Sequence, residues 1–100
     1  MRALVYGVGK QLVMQSINLS TPTKTQCRVK ICASTVHPAD LLAIANHYPH
    51  KSMIAGNDAV GTTLDGKQVI VLRSDIGGVW CEQQNIDSND LFVVEPPLPV

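Results

Sequence analysis

From Cys27 to Ser34 apolar and polar residues alternate: Val29, Ile31 and Ala33 share one face of the run, and Arg28, Lys30 and Cys32 share the other. A period of two predicts a strand with one buried and one wetter face. The same grammar, more loosely kept, predicts strands over 2–6 and 11–19, joined by a turn at Gly7-Val8-Gly9-Lys10. Asp65-Gly66 predicts a hairpin turn between Val60–Leu64 and Lys67–Leu72. Gly77-Gly78 leads into a strand starting at Val79-Trp80-Cys81, and Leu91-Phe92-Val93-Val94 ends the set. One stretch breaks the pattern. Pro38 suits the first turn of a helix, where its missing N–H costs nothing, and Leu41, Leu42, Ile44 and Ala45 supply an apolar face as far as Asn46. Pro49 closes that helix and pushes Tyr48 out of the α region. About seven short strands spaced by turn residues, with one short helix, predict a mainly β fold: a small antiparallel barrel or sandwich.

Composition narrows the field. The chain has 100 residues, 45% of them hydrophobic, with eight basic and eight acidic side chains. That predicts one folded domain over 1–100. The basic residues stand singly, so no stripe exists to neutralise phosphates, and nucleic acid is not an expected partner. No apolar run approaches the roughly 20 residues of a membrane helix, and 2–6 reads as a strand rather than a signal segment. Cys27, Cys32 and Cys81 cannot all pair with one another and form no Cys-x-x-Cys. They are expected to be reduced thiols, two of them on or near a buried strand, in a cytoplasmic setting.

Ionisable groups gather in 34–50: His37, Asp40, His47, Tyr48 and His50. Loops between β-elements can present side chains that packed strands cannot. Asp40 is placed to stabilise the start of the helix, and His37 to cap the loop through backbone bonds. His47 and His50 are expected to face solvent, and Trp80 to anchor the core with Cys81 on the opposite face. His37, Asp40 and Asp58 can converge, but a metal site normally needs three or more good ligands, and none is assigned.

The order of these pieces resembles the N-terminal, GroES-like domain of the medium-chain dehydrogenase/reductases. The resemblance is carried by the opening Met1–Tyr6, by Arg28–Val36, and by His37-Pro38-Ala39-Asp40, similar to that family's Asn-Pro-x-Asp. Gly56-Asn57-Asp58-Ala59-Val60-Gly61 resembles its Gly-x-Glu/Asp-x-x-Gly, Gly77–Glu82 its Gly-Gly-Trp-x-Glu run, and Leu91–Pro97 its exit strand. The resemblance implies a partly open GroES-like β-barrel. It is nearest to the zinc-free quinone oxidoreductases and 2-enoyl thioester reductases, in which a tyrosine after the short helix donates a proton to the substrate. Tyr48 falls on that position, and a neutral phenol held against a developing carbanion can do this work. His37, Asp40 and Asn57 would line the substrate cleft.

Two departures temper the likeness. Family members carry a Rossmann domain with a glycine fingerprint. Here Gly7-Val8-Gly9 lies between two strands and opens no helix, so no cofactor site is assigned, and NADPH is expected only with a Rossmann partner. The stretch from Gly61 to Gly78 is also shorter than the family's. Zinc-dependent members use cysteine where His37 stands and histidine where Asn57 stands, together with a four-cysteine lobe that this sequence lacks. The resulting expectation is a substrate-side domain, inactive alone, that needs a Rossmann partner. The alternative is a binding or structural module that self-associates or sits in a larger assembly. A co-chaperonin is disfavoured, because 18–26 is too short and polar for a mobile loop.

Overall fold

The computed structural model describes residues 1–7, 11–45, 52–72 and 77–99. Tyr48, with its neighbours His47 and His50, lies outside the described residues, as do Val8 and Gly9. The described elements are seven strands and one helix: β1 (Arg2–Tyr6), β2 (Leu12–Ser16), β3 (Gln26–Ser34), α1 (Pro38–Ile44), β4 (Asp58–Thr63), β5 (Gln68–Leu72), β6 (Gln83–Asp87) and β7 (Leu91–Val93), with a 3₁₀ turn over Ser88–Asp90. The mainly β expectation holds.

Five strands form one antiparallel sheet in the order β6-β3-β4-β5-β7. Its inner face carries Val29, Ala59, Val69, Val71 and Ile86, which form a core together with Val79 from outside the sheet; Ile31, Trp80 and Leu91 pack against it. Burying a valine or isoleucine contributes about 1.5–3 kcal/mol, so this face is the main source of cohesion. β1 and β2 pair as a separate antiparallel hairpin. The hairpin is joined to the rest by short bridges, Ala3 with Cys81 and Val5 with Ile54. A second cluster of Ala3, Val5 and Ile54, flanked by Met1, Ile17 and Cys81, fills that junction. Trp80 and Cys81, adjacent in sequence, therefore serve the two cores separately.

The structure departs from the sequence expectation in three places. The strand predicted from Val79 begins instead at Gln83. Gly77 and Gly78 have positive φ, and the backbone that follows bonds β1 and Ala55: Leu4 N–H donates to the Trp80 carbonyl, Trp80 N–H to Ala55, and Glu82 N–H to Arg2. Residues 79–82 thus lie as a strap between the cores. Second, β3 breaks its alternation. Ile31 pairs with Gly61 and Ala33 with Val60, which leaves Cys32 as an extra residue in a β-bulge. The bulge moves Ala33, predicted inward, to the outer face, and turns Ser34 inward beside Ala59. Third, Cys27 and Cys32, although both lie on β3, are exposed, and Cys81 is half-buried.

Close packing explains two glycines. A Cβ on Gly61 would lie 2.5 Å from the Lys30 carbonyl oxygen, so β3 and β4 could not approach as they do. Gly56 combines a φ of +96° with a Cβ position 2.3 Å from Trp80 Cδ1, which excludes any side chain there.

Candidate functional site

The bulge in β3, the start of α1 and the start of β4 meet at one corner. His37 precedes α1 in an extended conformation (φ −135°, ψ 173°), and Pro38 opens the helix. Asp40, buried at 2% exposure, accepts the His37 backbone N–H through Oδ2 at 2.9 Å. This carboxylate satisfies an otherwise orphaned donor and sits favourably against the helix dipole. The expected role of Asp40 at the helix start is therefore seen directly.

His37 is the N-cap of α1 and shares a capping box with Asp40, as its expected capping role requires. Its ring also reaches two carboxylates: Nε2 lies 3.2 Å from Asp58 Oδ2 and 3.9 Å from Asp40 Oδ2. Both His37 and Asp58 are about one-third exposed, so the pair contributes roughly 0–1 kcal/mol and matters more for orientation than for stability. Asp58 is further held through its backbone. Its carbonyl accepts from Ser34 Oγ at 2.5 Å, and that hydroxyl accepts from Trp80 Nε1 at 2.9 Å. The bulge makes this chain of contacts possible, since it turns Ser34 to the side where Trp80 packs.

His37, Asp40 and Asp58 do converge. They converge on one another, with the imidazole nitrogen lying between two carboxylates, rather than on a common empty point. Among the described residues no group of three or more His, Cys, Asp or Glu is arranged to hold a metal ion. Asn57 is fully buried, and neither Oδ1 nor Nδ2 has a hydrogen-bond partner among the described residues; Asp40 Oδ1 is likewise orphaned.

The corner also holds groups that sequence reasoning missed. Tyr6, at the end of β1, is partly buried and feels the charge of Asp40; burial first, and that carboxylate second, raise its phenol above the ordinary value. Asp58 entered the sequence reading only as a possible ligand. Ser34 and Trp80 bond across 46 residues, and nothing local in the chain announces that contact. Beside the corner lies an open cleft of about 310 Å³ lined by Ala33, Ser34, Thr35, Asp58, Ala59, Val60 and Ile70. Asp58 joins this cleft to the ionisable corner; the lining named does not include His37, Asp40 or Asn57.

No family model matches the chain. In sequence it is similar to the mitochondrial enoyl-[acyl-carrier-protein] reductase of Xenopus tropicalis, 28% identical over an alignment of 115 residues covering 99% of this chain and 33% of that protein. The alignment exceeds the 100 residues of this chain, so the relative carries extra residues within the region. In structure it superposes on an alcohol dehydrogenase superfamily protein from Novosphingobium aromaticivorans with a TM-score of 0.83 at 24% identity, covering 99% of this chain and 36% of that one. This chain has the GroES-like fold of the medium-chain dehydrogenase/reductases. The quinone oxidoreductase of Thermus thermophilus, solved also in complex with NADPH, gives a TM-score of 0.82 at 20% identity over 99% of this chain and 34% of the enzyme. The chain spans about a third of the length of the relatives it matches.

Proposed function

We propose that residues 1–100 form a GroES-like unit that acts as the substrate side of a zinc-independent, NADPH-dependent quinone or 2-enoyl thioester reductase, with the nucleotide carried by a Rossmann partner. The observation that supports this most is the match in fold to NADPH-linked reductases over 99% of this chain and about a third of theirs. In this reading Tyr48 gives its proton to the substrate carbon next to the one that is reduced. The corner of His37, Asp40 and Asn57 backs the cleft and fixes where β4 and α1 meet.

The described residues do not fit a dinucleotide. Such sites place phosphates on a glycine-rich turn at a helix N-terminus. Here the turn before α1 is His37-Pro38, and the Asp40 carboxylate already occupies the first turn. A buried negative charge there repels a phosphate. In this reading the hydride source belongs to the partner, and the isolated chain is expected to be inactive. Calorimetric titration with NADPH checks this: no saturable binding is expected, and a tight one-to-one complex would overturn the assignment of the cofactor to another unit.

One observation favours a second reading, a binding module that self-associates. Ile70, Leu72 and Phe92 are exposed on the outer face of β5 and β7, and such patches commonly mark interfaces. Light scattering separates the two: a monomer at high concentration excludes the self-associating module.

A further inference from the structure

We propose that the cleft on the outer face of β3, β4 and β5 binds a small aromatic ring bearing a hydroxyl group, with the hydroxyl donating to the Asp58 carboxylate. The walls come from the sheet register. Ala33 pairs with Val60, and Val60 with Ile70, so three apolar side chains make a row three strands wide. The row exists because the bulge at Cys32 carries Ala33 to the outer face; in an unbroken strand it would point into the core. A row of small and branched side chains on a sheet is nearly flat, which suits a planar ring better than a flexible chain. At about 310 Å³ the cleft is at the low end for small-molecule sites, room for a ring and not for a dinucleotide.

The rim selects the polar group. Asp58 Oδ2 is engaged by His37, while no described residue bonds Oδ1, which leaves an acceptor at the edge of the cleft. Ser34 Oγ is already committed to the Asp58 carbonyl and the Trp80 indole. Among the described residues no lysine or arginine lines the cleft, and a carboxylate or phosphate there meets the Asp58 carboxylate. A cation is a weaker match than a hydroxyl, because the adjacent imidazole, when charged, cancels the Asp58 charge and leaves a pair that still accepts a hydrogen bond. The inference deepens the proposed function, since a hydroxylated ring is what reduction of a quinone yields. It rests on that reading for its biological meaning only, because binding is measured without turnover.

The test is an NMR titration of ¹⁵N-labelled chain with 4-methylphenol, 4-methylanisole and 4-methylbenzoate. The phenol is expected to give saturable shifts centred on Ala33, Asp58, Val60 and Ile70. Capping its oxygen as the anisole should weaken binding about tenfold, the worth of one hydrogen bond to a charged acceptor, and the benzoate should not bind. Asp58→Ala should erase the difference between phenol and anisole. Ile70→Glu, at an exposed position where folding is not at stake, should abolish binding of both and keeps the test intact if Asp58→Ala does not fold. Equal affinities for phenol and anisole, shifts centred elsewhere, or an Ile70→Glu chain that binds like the parent would each overturn the site. Phenol binding without reductase chemistry in a complete enzyme would instead contradict the proposed function and leave this site standing.

Discussion

Asp40 shows how one buried carboxylate organises a corner. It ties the His37 N–H at the start of α1 and imposes its charge on Tyr6 of β1. The Tyr6 phenol is raised from its ordinary value of 10.0. Folding thus favours its neutral form, and that contribution is whole below pH 10 and lost as pH climbs through the higher folded value. Tyrosinate absorbance, read in a Tyr48→Phe background, should show Tyr6 titrating late, and Asp40→Asn should move it earlier while leaving the part due to burial. An unchanged titration in Asp40→Asn would mean that the two groups do not sense one another. Glu82 works in the opposite sense: the Arg2 backbone N–H and guanidinium hold its carboxyl low, so its contribution is present above the ordinary carboxylate value and fades as pH falls through the folded one. Gly56 is the residue whose identity matters most to packing. Gly56→Ala adds left-handed strain and a clash with Trp80, so a loss of about 3 kcal/mol or more is expected in urea unfolding.

At the scale of elements, the sequence was legible where local pattern and tertiary environment agreed. Val69 and Val71 alternate with exposed Ile70 and Leu72, Asp65-Gly66 turns the chain between β4 and β5, and Pro38 opens α1; each follows from chemistry within a few residues. Legibility failed where a distant partner decided. The bulge at Cys32 comes from how β3 meets β4, and its effect on Ala33 and Ser34 cannot be read from a run that alternates cleanly. The strap over 79–82 looked like a strand because its side chains suit one, yet its backbone is spent on β1 and Ala55. The candidate site was half legible for the same reason. His37, Asp40 and Asp58 were visible as residues able to meet, but the bond from the His37 ring to Asp58 spans 21 positions. That the Asn57 amide is buried with no partner among the described residues is a fact that no spacing reports.

For the whole molecule, two small cores are joined by short bridges, with the ionisable corner at the meeting of β3, α1 and β4. The open cleft and the exposed apolar side chains of β5 and β7 fit a unit that works against something else. The relatives are about three times longer, and in the proposed function that partner is the rest of a reductase. The most direct measurement is a chimera in which this chain replaces the matching third of the Thermus quinone oxidoreductase. NADPH oxidation followed in the presence of quinone or enoyl thioester should show turnover, and Tyr48→Phe should reduce it about 10²–10⁴-fold, as loss of a positioned proton donor does. A chimera that folds and binds NADPH but reduces neither substrate, or one that is indifferent to Tyr48→Phe, would contradict the account.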